Sequence, residues 1–288
     1  MSQTTDRSEC VEEMREFLRY MVLSILDECP CSASRVAETI VEKSRDNEKY
    51  REGGSLKISV ADLKPTIDGL REEGMVSDSH NGDLALTDPG KELLDHYQRL
   101  KEEGGKQKEE AISKLVSILL SDARGRTGPA RVLDVGTGEG YLALKLADEG
   151  FDVLGIDTAE FEYSRNSIAR AREKSEGMAN AEFRVADVND LTFDDRYDYV
   201  VSSQAMHCMN DQRRSVCSMC RLLKPGGLLV ACDFDVGLRG YFAHGFHCFL
   251  ALTRQKWETF LSSCGCEETE IHDVGDYCVV RSRKASVQ

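Results

Sequence analysis

The sequence lacks an apolar run that could cross a membrane, and its first residues lack the apolar core of a signal peptide. Its longest apolar stretches, such as residues 21–26, are far shorter than the roughly 20 residues that a membrane helix needs. The composition, with 41% hydrophobic and 31% charged residues, is typical of a soluble globular protein. We therefore expect a cytoplasmic protein that has no membrane partner.

An excess of positive charge is also missing. The chain has 37 Lys and Arg against 51 Asp and Glu, which gives a formal net charge of −14. Residues 1–122 alone carry 17 basic and 26 acidic side chains, a net of −9. Because such a surface repels phosphates, nucleic acid is not an expected partner.

The chain contains 11 cysteines, but they do not show the spacing of a disulfide framework. An odd number of cysteines in a cytosolic protein indicates free thiols, several of them small core residues. Three close pairs stand out, and metal or thiol chemistry stays open for them: Cys29 with Cys31, Cys217 with Cys220, and Cys264 with Cys266. No second knuckle follows any pair at zinc-finger distance, so no metal site is predicted.

A glycine-rich turn at residues 131–141, with the sequence RVLDVGTGEGY, is the most informative feature present. It reads as a buried strand, a tight turn and the start of a helix, and Asp134 precedes the glycines. Gly136, Gly138 and Gly140 would let the backbone approach a ligand closely. Asp157 ends a second strand 21 positions after Gly136, where a carboxylate can accept both hydroxyls of an adenosine ribose.

Two cofactors could use this arrangement. A nicotinamide dinucleotide site has the spacing G-x-G-x-x-G, whose amides face a pyrophosphate. Here the spacing is G-x-G-x-G, and Asp134 would bring negative charge near that pyrophosphate. S-adenosylmethionine has no phosphate and offers an ammonium group that Asp134 could meet, so it is the expected cofactor.

The run from Asp134 to Gly140 resembles the first motif of class I S-adenosylmethionine-dependent methyltransferases, and the resemblance continues over residues 131–288. It implies an α/β fold, a doubly wound seven-stranded Rossmann-like sheet whose last strand is antiparallel. It also implies S-adenosylhomocysteine as the product. The residues that it assigns to cofactor binding are Asp134 (methionine ammonium), Gly136, Gly138 and Gly140 (methionyl–ribose face), Asp157 (ribose), Asp187 (adenine amino group), Val188 and Ser203.

Residues 1–104 read as a separate domain, with residues 105–288 as the catalytic one. Three helical patterns and a hairpin with an Asn81-Gly82 turn resemble a winged helix-turn-helix domain. Small-molecule O-methyltransferases with this layout use that domain to dimerise and to cover the acceptor pocket. The apolar stripe of the first helix is then either a homodimer interface or part of its own monomer's core. The polar segment 101–110 is predicted to be a hinge.

His207 is the one candidate catalytic residue. Residues 206–211 resemble the segment of those O-methyltransferases in which a histidine takes the acceptor's proton, although Cys208 and Met209 depart from the pattern. A non-catalytic histidine packed beside the cofactor is the competing interpretation. The insert at residues 237–250 is predicted to line the acceptor pocket or to form a helical cap, through Tyr241, Phe242, Phe246 and Phe249.

We therefore predict methyl transfer from S-adenosylmethionine to a small-molecule acceptor, with a hydroxyl as the expected group. Thiol or arsenite methylation becomes possible if His244, His247, Cys248 and Cys208 converge. Two different functions also stay open at this point. One is a DNA-binding regulator that senses S-adenosylmethionine, and the second is a degenerate methyltransferase that serves as a partner scaffold.

Overall fold

The computed structural model describes residues 5–45, 58–158, 162–192, 196–234 and 251–286. The chain divides into two compact units, and the first passes into the second between Lys106 and Gln107. This division lies two residues after the predicted domain boundary. The insert at residues 237–250, with its predicted acceptor-pocket aromatics and its two histidines, lies outside the described residues.

The N-terminal unit contains three helices followed by a short hairpin. The helices are α1 (Thr5–Glu28), α2 (Ala33–Arg45) and α3 (Val60–Glu72), and the hairpin strands are β1 (Val76–Asp78) and β2 (Leu84–Leu86). These are the three helices and the hairpin that the sequence predicts. The hydrophobic periodicity of this part of the sequence is therefore sufficient to place its elements.

The hairpin forms as predicted around residues 79–83. Val76 pairs with Leu86 in an antiparallel ladder, and Cys31 adds an isolated bridge to Leu84. Gly82 has φ of 85°, a left-handed value that glycine adopts without a steric penalty. The Asn81-Gly82 signal thus correctly located the turn.

The apolar stripe of α1 is covered within its own unit. Phe17 is 2% exposed and Val22 is 0% exposed, and both pack with α2 and α3 residues such as Ile40 and Leu63. Of the two interpretations of the stripe, the structure supports the core of the monomer. The stripe therefore gives no support to a homodimer interface.

The predicted hinge at residues 101–110 is wrong as a break in the backbone. A single helix, α4, runs from Asp88 to Asp122 and includes Gly104 and Gly105. Each glycine costs about 1 kcal/mol relative to alanine in a helix, which is a weak penalty. The surrounding Lys, Glu and Gln residues are good helix formers, and buried residues anchor the helix at both ends, among them Leu94 and Leu115.

The C-terminal unit is built on a mixed sheet. Its seven strands within the described residues are β3 (Arg131–Val135), β4 (Asp152–Asp157), β5 (Ala181–Val185), β6 (Tyr197–Ser203), β7 (Leu223–Phe234), β8 (Cys266–Val274) and β9 (Tyr277–Lys284). The strand order is β5-β4-β3-β6-β7-β9-β8. The first five strands in this order are parallel, and β9 is antiparallel to both of its neighbours. This confirms the predicted Rossmann-like sheet.

Helices accompany the strands and bury the sheet. They are α5 (Tyr141–Asp148), α6 (Glu162–Lys174), α7 (Gln212–Leu222) and α8 (Arg254–Ser263). The central strands are almost continuously buried, as strands covered on both faces must be. Among the described helices, none combines the length and the apolar character needed to span a membrane.

The cysteines are not all free thiols, which corrects the expectation from composition. Cys217 of α7 and Cys264, which follows α8, form a disulfide with a Cα–Cα distance of 5.0 Å. The two residues are 47 positions apart, and only the packing of the two helices brings them together. Spacing alone cannot reveal such a pairing.

Candidate cofactor and active site

The glycine turn between β3 and α5 has the backbone that the sequence predicts. Gly136, Gly138 and Gly140 all have positive φ, between 54° and 82°. A Cβ on Gly136 would lie 2.2 Å from the Cβ of Ala205. A Cβ on Gly140 would lie 2.8 Å from the ring of Phe183. Two of the glycines are therefore required both by conformation and by close contact.

Asp134 lies beneath this turn and is 1% exposed. Its Oδ2 accepts a hydrogen bond from the Thr137 hydroxyl at 2.7 Å, whereas its Oδ1 accepts none. Burial raises the pKa of Asp134 to about 7, and the bond from Thr137 opposes that rise. An unsatisfied buried carboxylate oxygen is costly, so a cation or donor that reached it would gain an interaction.

Asp157 ends β4 beside the turn. Its Oδ2 accepts from the Gly138 N–H at 2.9 Å, and its Oδ1 accepts from the Thr158 N–H at 2.8 Å. Burial raises the pKa of this carboxyl, and the two N–H donors act in the opposite direction. Each oxygen has a further lone pair, so a fixed carboxylate can still accept two hydroxyl donors.

Asp187 follows β5 and begins a short 3-10 helix over Val188–Asp190. Its Oδ1 accepts from the backbone N–H of Asn189 at 2.8 Å. Asn189 is in turn held by α7, where its Nδ2 donates to Ser215 Oγ at 3.2 Å and its Oδ1 accepts from Ser218 Oγ at 3.0 Å. A helix two elements further along the chain therefore fixes the Asp187 turn.

These segments surround a cavity of about 370 Å³ at the carboxyl ends of the parallel strands. Parallel α/β sheets bind ligands at this edge. The predicted residues that line the cavity are Gly136, Gly138, Asp157, Asp187 and Val188. Other lining residues, which the sequence did not single out for the cofactor, include Ile156, Asn189, Gln204, Ala205, Met209 and Arg214.

Four predicted residues do not line the cavity. Gly140 lies within the turn and Asp134 lies beneath it, so both support the cavity wall without lining the cavity. Ser203 does not line the cavity either; it pairs with Cys232 of the adjacent strand β7. The next residue, Gln204, reaches the cavity instead, with φ of 54°. Such a left-handed non-glycine residue often marks a functional site.

His207 is the fourth, and it is buried against β7. Its Nδ1 lies 3.0 Å from Asp233 Oδ1, and its backbone N–H donates to Asp233 Oδ2 at 3.1 Å. Its ring packs on Phe234 with centroids 4.3 Å apart. Asp233, near the end of β7, is not among the predicted site residues.

The protonation of His207 follows from this pair. Burial acts to lower the pKa of His207, but the Asp233 carboxylate outweighs burial and raises the pKa to about 10. The Asp233 carboxylate therefore favours the protonated form of the ring. Cys208, which also bonds the ring, lines the cavity.

The residues present fit S-adenosylmethionine. The glycines of the turn leave out side chains where the backbone makes close contacts. The buried Asp134 Oδ1 lacks a hydrogen-bond partner, which an ammonium group could provide. Asp157 offers a fixed carboxylate at the cavity wall. No group of three potential metal ligands converges within the described part of the chain.

Comparisons with known proteins agree with the fold. Residues 127–270, half of the chain, match the family described as "Methyltransferase domain". The ubiquinone biosynthesis O-methyltransferase of Acinetobacter baylyi is 34% identical over 110 residues, which cover 38% of this chain and 45% of that enzyme. The chain thus matches less than half the length of this relative.

Two solved structures share the fold. A CurJ carbon methyltransferase aligns over 99% of this chain and 94% of its own, with a TM-score of 0.58 and 13% identity. The phosphoethanolamine N-methyltransferase 2 of Haemonchus contortus, solved with S-adenosyl-L-methionine, aligns over 59% of this chain and 52% of its own, with a TM-score of 0.50 and 17% identity. On the family match and the seven-stranded sheet, the chain belongs to the class I S-adenosylmethionine-dependent methyltransferases.

Proposed function

We propose that this protein transfers the methyl group of S-adenosylmethionine to a hydroxyl of a small-molecule acceptor. The observation that carries the proposal is the Asp157 carboxylate at the cavity wall. The Gly138 and Thr158 amides fix its two oxygens, and the left-handed glycine turn stands beside it. The G-x-G-x-G spacing of that turn, with Asp134 before it, favours an adenosyl ligand without a pyrophosphate.

The proposed roles follow from the positions of the side chains. Asp157 would accept hydrogen bonds from the ribose hydroxyls, and Asp187, held by Asn189, would face the adenine amino group. Asp134 would take the methionine ammonium through its unpartnered Oδ1. Because burial raises the pKa of Asp134, an ammonium group that approaches would favour its ionised form.

S-adenosylmethionine, when bound, supplies a methyl group on a positively charged sulfur. An acceptor atom can attack this methyl carbon in line with the departing sulfur. The protein's share of that reaction is alignment and the exclusion of water. Met209 and Ala205 give this part of the cavity apolar surface, and Gln204 and Cys208 give it polar atoms. An acceptor hydroxyl must also release its proton as the new bond forms.

The predicted base at His207 is not carried into the proposal. The Asp233 carboxylate raises the pKa of the ring, which disfavours a neutral base, and Asp233 and Phe234 hold the ring in place. We propose instead that the His207–Asp233 ion pair is a positioning pair. It fastens the segment from Gln204 to Met209, which lines the cavity, to the end of β7.

The choice of a hydroxyl rests on the Acinetobacter relative, an O-methyltransferase of ubiquinone biosynthesis. An aromatic hydroxyl is therefore the first acceptor class to test. The experiment follows the acceptor-dependent formation of S-adenosylhomocysteine with a panel of phenols and catechols, and with a thiol and arsenite as the competing classes. We expect turnover with at least one phenolic acceptor.

The matched pair of variants for this assay lies on one strand. Asp157 ends β4 at the cavity, and Asp152 begins the same strand at the opposite edge of the sheet, where it is exposed. Asp157→Ala should lose most turnover at sub-saturating cofactor, whereas Asp152→Ala should retain it. Turnover that is equal in the two variants would contradict the proposed ribose contact.

The class of the N-terminal unit also remains a proposal. The order of three helices and a hairpin, with the Cys31 bridge as a third short strand, supports a winged helix. A homodimer formed through this unit would require a surface other than the α1 stripe, which is already buried. Sedimentation equilibrium across a range of protein concentrations tests the dimer directly.

A further inference from the structure

Four cysteines of the C-terminal unit converge where α7 meets the junction between α8 and β8. Cys217 and Cys220 lie one turn apart on α7, and Cys264 and Cys266 flank Gly265. Cys217 and Cys264 form the disulfide, and the Sγ atoms of Cys220 and Cys266 lie 2.8 Å apart. The two pairs therefore connect the same two segments, side by side.

The pairs differ in their exposure. Cys220 is 0% exposed and Cys266 is 5% exposed, and both belong to the main core of this unit. Cys217 and Cys264 are half-buried. We call Cys217 and Cys264 the outer pair, and Cys220 and Cys266 the inner pair. The inner pair is therefore two reduced thiols placed as for a second disulfide, beside an existing one.

We propose that the inner pair closes to a second disulfide under oxidising conditions, and that the two crosslinks together hold the α7 wall of the cofactor cavity. The oxidant is a low-molecular-weight disulfide. The Cys266 thiolate attacks one of its sulfurs and expels a small thiolate. The Cys220 thiolate then attacks Cys266 Sγ and expels the second. Two protein thiols thus give up two protons and two electrons, and the small disulfide becomes two small thiols.

Cys266 is the better attacking group of the two. Its hydrogen bond with Cys220 lowers the pKa of Cys266, burial opposes this, and the Lys284 ammonium assists it. Lys284 is held in place, because its Nζ donates to the carbonyls of Arg221 and Leu223 at the end of α7. Thiol–disulfide exchange proceeds through the thiolate, so the chemistry of the pair begins at Cys266.

A second crosslink would add little to the stability of the fold. The outer disulfide already closes a loop with a sequence separation of 47, and the inner pair has a separation of 46. Once the outer loop is closed, the inner disulfide closes only the few residues between neighbouring cysteines. The entropy lost by the unfolded chain is therefore small. Its effect is instead local, on the orientation of α7.

The orientation of α7 reaches the cavity through hydrogen bonds already described. Ser215 and Ser218, which lie on either side of Cys217 in α7, hold the side chain of Asn189. The backbone of Asn189 in turn donates to Asp187, and Ser215 also lines the cavity. A clamped α7 would keep the Asp187 turn in its binding geometry before a ligand arrives.

A metal centre is the competing interpretation of four clustered cysteines. With the outer disulfide closed, no three potential ligands converge within the described ranges, because only the inner pair keeps its thiols. The observed sulfur contacts are one disulfide and one pair of thiols in hydrogen-bond contact.

The experiment compares protein that has been equilibrated with reduced or with oxidised glutathione. Peptide mapping after alkylation of free thiols reports each cysteine, and calorimetric titration with S-adenosylhomocysteine reports the affinity. We expect the oxidised protein to contain both disulfides and to bind about fivefold more tightly than the fully reduced protein. The affinity difference between these two states should shrink in Cys220→Ala/Cys266→Ala. It should persist in Cys278→Ala, which removes a buried cysteine outside the cluster.

Several results would overturn the proposal. If Cys220 and Cys266 can still be alkylated in the oxidised wild type, the second disulfide is excluded, whatever the variants show. One zinc ion per reduced chain, lost in the double variant, would replace it with a metal site. The affinity measurement rests on the proposed function, whereas the mapping does not. The oxidised protein could contain both disulfides while neither redox state binds S-adenosylhomocysteine. That result would refute the proposed function and the coupling to the cavity, and would support only the second disulfide.

Discussion

Gly136 and Ala205 meet across the wall of the cavity, so one methyl group added to Gly136 must displace that wall. The new Cβ would lie 2.2 Å from the Cβ of Ala205, and the backbone there has φ of 74°. Overpacking at such a contact costs about 1–3 kcal/mol. We predict that Gly136→Ala lowers the affinity for S-adenosylhomocysteine about tenfold or more, as measured by calorimetric titration.

A matched control separates the contact from backbone strain. Gly150 also has a left-handed φ, of 90°, but a Cβ there would meet no atom within 4 Å. Gly150→Ala should therefore share the strain of about 1–2 kcal/mol and leave the affinity unchanged. Equal losses of affinity in the two variants would attribute the effect to general destabilisation.

His207 and Asp233 give stability a defined dependence on pH. The folded pKa of His207, about 10, lies above its ordinary value of 6.5. The contribution of the pair is therefore fully present below about pH 6.5 and is lost as the pH rises through 10. We predict that His207→Gln lowers the free energy of unfolding by about 3 kcal/mol at pH 6, as for other broken buried ion pairs, and by less near pH 10.

Urea unfolding at a series of pH values measures this difference. His272→Gln is the control, since His272 lies on β8 of the same unit and is half-exposed. A difference that grows with pH would show that His207 is neutral in the folded protein. That result would restore the role of proton acceptor that the sequence resemblance implied.

Where a motif fixes the backbone, the sequence also indicates which edge of the sheet its side chains occupy. Asp157 and Asp187 end predicted strands, and both reach the cavity. The sequence does not indicate a partner that comes from a distant strand: Asp233, near the end of β7, binds His207 across 26 positions. No pattern along the chain encodes which side chains meet between neighbouring strands.

The disulfide between Cys217 and Cys264 joins α7 to the end of α8. Its contribution to stability can be measured by unfolding. The bond joins residues 47 positions apart. Closing a loop of this length stabilises a protein by about 2–4 kcal/mol through the unfolded chain. We predict that Cys217→Ala/Cys264→Ala lowers the free energy of unfolding by that amount in guanidinium titrations.

The control for this prediction is the reducing agent. Excess dithiothreitol, which also keeps Cys220 and Cys266 reduced, should bring wild type close to the double variant. A wild type that is indifferent to dithiothreitol would contradict the presence of the disulfide in solution.

Elements were predicted more reliably than their breaks. Periodic burial identified α1, α2 and α3, because an amphipathic helix leaves a repeating apolar pattern. The same reasoning divided α4, because Gly104 and Gly105 look like a hinge in isolation. Two glycines cost about 2 kcal/mol in a helix, which packing at both ends offsets, and packing is not visible in a local window.

At the scale of the molecule, the order of motifs along the chain was enough to predict the C-terminal fold. The glycine turn comes first along the chain, the acidic strand ends follow, and an antiparallel pair closes the domain. Only a few sheet topologies accommodate motifs in this order. The net charge of −14 also acts at this scale, since it disfavours a DNA-binding role. The acceptor was not predictable, because its recognition depends on side chains that no motif specifies.

Calorimetric titration of wild type, Asp157→Ala and Asp152→Ala with S-adenosylhomocysteine tests the central claim most directly. We predict saturable binding to one site in wild type and in Asp152→Ala. Asp157→Ala should bind about 1–3 kcal/mol more weakly, because two ribose hydroxyls lose their acceptor. Folded wild-type protein that does not bind S-adenosylhomocysteine, or an Asp157→Ala variant that binds as tightly as wild type, would contradict the account.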